Sequence, residues 1–272
     1  MSQGHLNFHE TFAPEREHLG RLLRLADHMP FLTKEEVFAE TGIPTGASSG
    51  KVVPHIKYAE YMGLVKTERR QGKFRLEKTP VAEHVTDKDP FLAHPISQLL
   101  CHYNLTSKTG AALWHFVIRE FLPSHGRSVT RSDVQRSSQA RFGKRVNLTP
   151  FVSCYTRPNS FGPLGLLRVS ADKKTWSFQG HSYQDAFRYL YAYTLLSDWD
   201  RHSDEPEITI NDVTNGIRWG AAFFWDMDMT LEVLSALQEV GAVKLNRQLE
   251  PITIIRTMAT EEALRQLYSL VD

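Results

Sequence analysis

The chain contains 272 residues, of which 41% are hydrophobic and 23% are charged, and its formal net charge is +1. This composition excludes a disordered chain, and two cysteines are too few for a disulfide framework. The sequence has neither an apolar run of about 18 residues nor a basic start followed by an apolar core, so we expect a cytoplasmic protein with no membrane partner.

The charge is distributed unevenly along the chain. Residues 51–75 hold seven Lys and Arg against two Glu, and residues 127–174 hold ten Lys and Arg against two Asp. Residues 197–250 reverse the balance, with eleven Asp and Glu against four Lys and Arg. Because basic surfaces attract polyanions, the first two segments are predicted to contact nucleic acid and the third is not.

Residues 1–80 are predicted to form a first module of three helices and a hairpin. Thr33, with Glu36 three residues later, is a capping box that starts the second helix. The third helix starts near residue 51 and ends at Gly63, because glycine tolerates the positive φ of a helix end. Two strands then flank a basic turn at residues 69–72. The residues of this module that we expect to face DNA are Lys51, His55, Lys57, Arg69, Arg70 and Lys73.

Residues 81–126 are predicted to be a helical connector, and residues 127–182 a second module. Thr130 and Asp133 have capping-box-like spacing at the start of its first helix. Residues 148–155 are the predicted third helix, and strands around residues 166–169 and 175–178 form a second hairpin. The residues of this module that we expect to face DNA are Arg141, Lys144, Arg145, Lys173 and Lys174.

Residues 183–272 are predicted to form a third, acidic module. An aromatic helix over residues 183–196 leads into it, Asp228 is the predicted cap of its main helix, and Gly241 ends that helix before a hairpin. Its negative charge suits a protein partner or a second copy of the chain, as in a homodimer, better than DNA.

One four-residue sequence pattern recurs in all three modules, where it follows an apolar helix and begins a strand of alternating polarity. This order is typical of winged-helix domains. The predicted fold class is therefore mainly α with small β-hairpins (α+β), built from tandem winged-helix-like modules, although such domains also serve in dimerisation and protein docking. The three occurrences of this pattern are Gly63-Leu64-Val65-Lys66, Gly165-Leu166-Leu167-Arg168 and Gly241-Ala242-Val243-Lys244.

His9 and Glu10 are the candidate catalytic residues, because they pair a titratable base with a carboxylate between two aromatic side chains. The alternative is structural: Phe8 and Phe12 would fix the N-terminal segment to the core, and the polar pair would make hydrogen bonds there. Adjacent residues of an extended segment point to opposite faces, so the pair has no obvious shared site.

Two further motifs contain residue types that are used in metal or phosphate binding. Asp226 and Asp228 are weak candidates for a site that holds Mg or Mn, because hard cations prefer carboxylates. The segment Gly46-Ala47-Ser48-Ser49-Gly50-Lys51 resembles a phosphate loop, but its glycine spacing is one residue short and Val52 stands where a hydroxyl is needed. A helix-entry loop is the favoured interpretation.

Several stretches, in the same order, resemble a bacterial family of formerly unknown function that is associated with DNA phosphorothioation and phage-defence operons. His9-Glu10-Thr11-Phe12 resembles the family's N-terminal motif, although Phe8 replaces its usual glycine. The stretch from Gly50 to Tyr58 resembles its Gly-Lys-Asn-Met-Val helix start, with Val52-Val53-Pro54 in place of Asn-Met-Val. The stretches Asp89-Pro90-Phe91-Leu92 through Trp114, and Pro163-Leu164-Gly165-Leu166, match its connector and its segment before the second hairpin.

The resemblance implies a role beside sulfurtransferase and ATP-pyrophosphatase-type modification proteins, since the family includes the DNA-nicking component SspB. One hypothesis is therefore a DNA-binding protein of such a system that nicks one strand for sulfur modification with Mg or Mn. The alternative is a non-catalytic winged-helix adaptor or a transcriptional regulator, which would bind DNA without cutting it.

Overall fold

The computed structural model describes residues 6–26, 30–46, 49–248 and 250–271. The chain divides into two units, Met1–Gln179 and Gly180–Asp272. Each unit combines α-helices with small antiparallel sheets, so the predicted α+β class is confirmed.

The first group of elements contains three helices and a hairpin. Thr33 caps the second helix as predicted: its hydroxyl accepts from Glu36 N, and the Glu36 carboxylate accepts from Thr33 N. Gly63 has a φ of 70° where the third helix ends. The elements are α1 (Arg16–Ala26), α2 (Lys34–Thr41), α3 (Val52–Tyr61), β1 (Val65–Arg70) and β2 (Lys73–Lys78).

The hairpin β1–β2 turns at Gln71 and Gly72, whose φ values are 48° and 79°. Two consecutive positive φ values are typical of the tight turns that suit the twist of paired strands. On its other edge β2 pairs with a single residue, because Leu32 exchanges two backbone hydrogen bonds with Phe74 at 2.9 and 2.7 Å. The segment at Leu32 therefore occupies the place of a third strand.

A helical connector follows the first group. Its long central helix, residues 95–106, is buried along nearly its whole length, and Trp114 in the next short helix is fully buried. A π-helical segment, Phe116–Phe121, interrupts the stretch of helix at residues 112–125. The α-helical elements are α4 (Pro80–Lys88), which was not predicted, α5 (Pro95–Thr106), α6 (Ala112–His115) and α7 (Leu122–His125).

The second group completes the first unit. Thr130 caps its first helix by accepting a hydrogen bond from Asp133 N, as its spacing predicted, and Gly143 ends that helix with a φ of 71°. The strand order is β3-β5-β4, with both pairs antiparallel. The elements are β3 (Ser128–Thr130), α8 (Arg131–Phe142), α9 (Thr149–Thr156), β4 (Leu167–Val169) and β5 (Thr175–Phe178).

The third group belongs to the second unit and has the strand order β6-β8-β7. The cap predicted at Asp228 is wrong: Asp226 is the N-cap, and its carboxylate accepts from Met229 N at 2.9 Å. The cap lies two residues earlier because the helix starts at Met227, so Asp228 lies within its first turn. The elements are α10 (Arg188–His202), β6 (Glu207–Thr209), α11 (Met227–Glu239), β7 (Val243–Asn246), β8 (Thr253–Arg256) and α12 (Thr260–Arg265).

The three groups share one connectivity. In each, the last strand lies between the other two, and a glycine with a φ of 66–72° lies between the helix before the hairpin (α3, α9 or α11) and the next strand. The module boundaries at residues 80, 126 and 182 stay predictions. Across the described residues, no helix has both the length and the hydropathy needed to cross a bilayer.

Candidate nucleic-acid interface

A basic groove of about 890 Å³ lies beside α8 in the second group. Four cationic side chains line it, and all four belong to exposed residues. Asparagine, glutamine, serine and threonine side chains supply further hydrogen-bonding groups along its walls. We call this site the basic groove and its cations Arg131, Arg145, Lys173 and Lys174.

Backbone contacts bring the start of α8 against the turn between β4 and β5. Arg131 N donates to Lys174 O at 2.7 Å, next to the capping hydroxyl of Thr130. The turn is held by Asp172, whose carboxylate accepts from the Ser170 hydroxyl and from Lys174 N. These contacts place the cations of the helix start and of the hairpin turn on one groove.

Gln135 holds the remaining wall. Its side-chain amide, oriented to match its surroundings, donates to Val146 O at 3.0 Å and accepts from Val146 N at 3.2 Å. Both backbone groups of a buried residue are thereby satisfied. The neighbouring Arg145 is therefore attached to a segment that α8 fixes, and not to a loose loop.

The groove keeps its positive charge because, in the part of the chain that the structure describes, its cations have no acidic partners. Within the described residues, none of the four forms an ion pair. The nearby carboxylates are committed elsewhere: the Thr130 hydroxyl lowers the pKa of Asp133, and the Ser170 hydroxyl lowers that of Asp172. Unpaired cations at a concave surface are suited to bind an anion with several charges.

The structure gathers three of the five residues predicted in the second group. Arg145, Lys173 and Lys174 line the basic groove together. Arg141 does not line it and lies 3.4 Å from the Glu120 carboxylate, while half-buried Lys144 also lies outside the lining. The sequence analysis missed Arg131 and the polar residues of the walls.

The polar residues predicted on α3 are engaged within the protein. The outward orientation expected for His55 is wrong: the side chain is fully buried, where Nδ1 donates to Lys51 O and Nε2 accepts from Glu15 N at 3.0 Å. Burial lowers the pKa of His55 to about 4. Lys51 pairs with Glu15 and Lys57 with Glu60, each at 2.6 Å.

The hairpin β1–β2 carries charge of both signs. Across the two strands Lys66 stands opposite Glu77 and Arg75 opposite Glu68, so each of these cations faces a carboxylate in the strand register. The predicted residues cluster at the tip and also have partners there. Arg69 lies over the Phe74 ring at 5.3 Å, Arg70 pairs with Glu68 at 2.5 Å, and Lys73 lies 3.9 Å from the Glu36 carboxylate.

His9 and Glu10 lie in a turn, and their side chains have opposite environments. The His9 ring is fully buried beside Phe8 and Trp114, with Nδ1 at 3.1 Å from the Glu10 carbonyl and Nε2 without a hydrogen-bond partner among the described residues. Burial lowers the pKa of His9. Glu10 is exposed, so the structure does not bring the two side chains to one site.

Asp226 and Lys51, from the metal and phosphate-loop candidates, both have partners within the protein. Asp226 caps α11, and within the described residues no group of three His, Cys, Asp or Glu side chains could hold a metal ion. Ala47 and Ser48 of the candidate phosphate loop lie outside the described residues. Lys51, the residue that would contact a phosphate there, is paired with Glu15.

Comparisons with known proteins identify a fold. No family model matches the chain, and no curated protein matches it. Among solved structures, the chain is similar to "SspB crystal structure" with a TM-score of 0.77 and to "Magnesium ion-bound SspB crystal structure" with a TM-score of 0.75. Each is 19% identical, and each match covers 98% of this chain and 88% of the other. The chain therefore has an SspB-like fold.

Proposed function

We propose that this chain is a DNA-binding component of a DNA phosphorothioation system, and that it holds DNA by the sugar–phosphate backbone in the basic groove. The observation that carries this proposal is the set of four unpaired cations on one groove. The SspB-like fold supports the link to phosphorothioation. Partners of the sulfurtransferase and ATP-pyrophosphatase types belong to the same proposal.

The strand order of the three groups supports a winged-helix interpretation. In that interpretation β4 and β5 form the wing of the second group, and the basic groove lies between this wing and the start of α8. Phosphate oxygens accept hydrogen bonds from Arg, Lys, Ser, Thr, Asn and Gln, the residue types that surround the groove. The chemistry of the walls therefore suits a nucleic-acid backbone.

Strand cleavage is not part of this proposal. The name of one similar structure includes a magnesium ion, but the carboxylates suggested here for that role do not form a site. Asp226 is occupied by its capping hydrogen bond, and among the described residues neither Asp226 nor Asp228 belongs to a group of three possible metal ligands.

Binding can be tested by fluorescence anisotropy with a labelled DNA duplex across salt concentration. If all four groove cations contact phosphates, log Kobs should fall against log salt with a slope of about −3.6. Arg145→Ala combined with Lys174→Ala removes two contacts, so the slope should become less steep by about 1.8 and affinity at ~0.15 M salt should fall about thirtyfold.

The matched control is Lys66→Ala combined with Arg75→Ala, which also removes two positive charges but from hairpin positions that do not line the basic groove. We expect its affinity to stay within about threefold of the unsubstituted chain, because these charges lie outside the groove and each faces a carboxylate across the hairpin. Equal losses in both variants would contradict a specific role for the groove. The same preparations incubated with supercoiled plasmid and Mg or Mn would detect nicking as open circles.

A further inference from the structure

The strap, defined as residues 6–15, covers the third helix of the first group. The Tyr58 hydroxyl donates to Phe12 O at 2.9 Å, and the Phe8 ring meets Tyr58 and Tyr61 edge-on at centroid distances of 4.8 and 4.7 Å. Glu15 N reaches the buried His55 ring from the same segment. In a winged-helix protein this helix would read bases in the major groove, but here another part of the chain lies on it.

The cations at the edge of α3 are held by carboxylates. Lys51 pairs with Glu15 of the strap, and Lys57 pairs with Glu60 on the helix itself. Each of these four side chains is about two-thirds buried or more. Contacting a base would require breaking these pairs, so α3 has no prepared donor for base recognition.

The helix α9, which precedes the hairpin of the second group, has one solvent-accessible stripe, formed by exposed Thr149 and Thr156 and half-buried Val152 and Ser153. None of these is Arg, Lys, Asn or Gln, the side chains that make bidentate contacts with bases. The opposite face is buried: the Phe151 ring lies 5.4 Å from Trp114, and the Tyr155 hydroxyl hydrogen-bonds His102 Nδ1. The helix α9 therefore offers little chemistry that distinguishes one base from another.

The helix α11, which precedes the hairpin of the third group, is acidic where it is exposed. Asp228 and Glu232 are exposed, and Glu239 near its end pairs with Arg188. Carboxylates repel the phosphates that flank the major groove, so α11 is not suited to enter it. All three helices in the base-reading position are thus unsuited to that role, each for a different reason.

We infer that this chain selects no DNA sequence by itself and that the basic groove takes the sugar–phosphate backbone of any duplex. The inference rests on the proposed DNA binding and specifies its substrate class. It follows that any sequence selection in the complete system comes from a partner protein. The four groove cations contact only features that every sequence shares.

Two experiments on the full chain test this inference. In the first, unlabelled duplexes of AT-rich, GC-rich and mixed sequence compete with a labelled duplex at one salt concentration, and we expect their dissociation constants to agree within about threefold. In the second, Ser153→Ala on α9 and Lys57→Ala on α3 should each change affinity less than twofold, whereas Lys174→Ala in the groove should lower it about fivefold.

The outcomes separate the two proposals. A preference of about a hundredfold for one duplex, the range typical of one or two well-read base pairs, overturns the inference while leaving DNA binding intact. A large loss with Ser153→Ala and none with Lys174→Ala overturns it as well, because it places recognition on α9. Absence of binding to every duplex at low salt overturns the proposed function, and the inference with it.

Discussion

The first and second groups place their polar residues very differently on a similar connectivity. In the first, α3 lies under the strap, and its histidine and lysines are hydrogen-bonded or ion-paired inside the protein. In the second, four cations beside α8 remain exposed and unpaired within the described part of the chain. The difference shows that a basic segment of sequence becomes a basic surface only where tertiary contacts leave its charges without partners.

The largest effect is expected at Trp114, because this residue joins the two groups. Its ring lies within 5.9 Å of the Tyr58 ring on α3 and 5.4 Å of the Phe151 ring on α9, and it is fully buried. Trp114→Ala should lower the free energy of unfolding by about 3–5 kcal/mol, as measured by chemical denaturation. The control Phe38→Ala, at a position 45% exposed, should cost much less.

Substitution of Gln135 tests how the second group holds the wall of the basic groove in place. Gln135→Leu removes both hydrogen bonds to the buried Val146 backbone, so we expect a loss of about 2 kcal/mol in unfolding free energy. DNA affinity of the folded variant should also fall about fivefold, because Arg145 loses its fixed position and one phosphate contact with it. Unchanged affinity with reduced stability would show that Gln135 supports the fold only.

The stability of the first group should depend on pH through His55. The folded protein keeps this ring neutral, with a pKa of about 4, while in the unfolded chain it binds a proton below its ordinary value of 6.5. Stability contributed by His55 is therefore complete above pH 6.5 and is lost as pH falls toward 4. At pH 5 the loss should be about 2 kcal/mol relative to pH 7.

Denaturation of the unsubstituted chain and of His55→Gln across pH 5–8 measures this contribution. Other buried histidines also reduce stability at low pH, so the informative quantity is the difference between the two pH profiles. The profiles should run parallel above pH 7 and diverge below 6.5, with the variant losing less. Parallel profiles down to pH 5 would contradict the neutral buried state.

The smallest effects are expected from a matched pair of helix caps. Thr33 caps α2 in the first group and Thr130 caps α8 in the second group. Each hydroxyl accepts a hydrogen bond from the backbone N–H of the residue three positions later. Either change to Ala should cost about 1 kcal/mol in thermal or chemical denaturation. Only Thr130→Ala should also weaken DNA binding, because it loosens the start of α8 at the groove.

Local features were the ones that the sequence allowed us to predict. Capping hydroxyls and the glycines that end helices act within a few residues, so the cap at Thr33 and the turn at Gly63 are confirmed. The strands β3 and β6 and the bridge at Leu32 were missed because they are too short for alternation to be visible. The cap at Asp228 failed because a nearby Asp226 has the same chemistry.

The candidate site was harder to predict, since its geometry depends on distant contacts. Nothing near His55 in sequence indicates that a backbone amide 40 residues earlier fills its Nε2 position. The basic window at residues 127–174 did point to the right region, and Arg131 could have been found as the exposed cation directly after a capping threonine. That Gln135 fixes Arg145 could not have been predicted without the fold.

The strap also has a consequence for the order in which the chain is completed during synthesis. Two of its ties reach far along the sequence: Asn147 Nδ2 donates to Glu10 O, and Asn159 Nδ2 donates to the Glu15 carboxylate. Translation at about 5–20 residues per second delivers those partners roughly ten to thirty seconds after the strap itself. The strap is therefore fully anchored only well after its own residues have been synthesised.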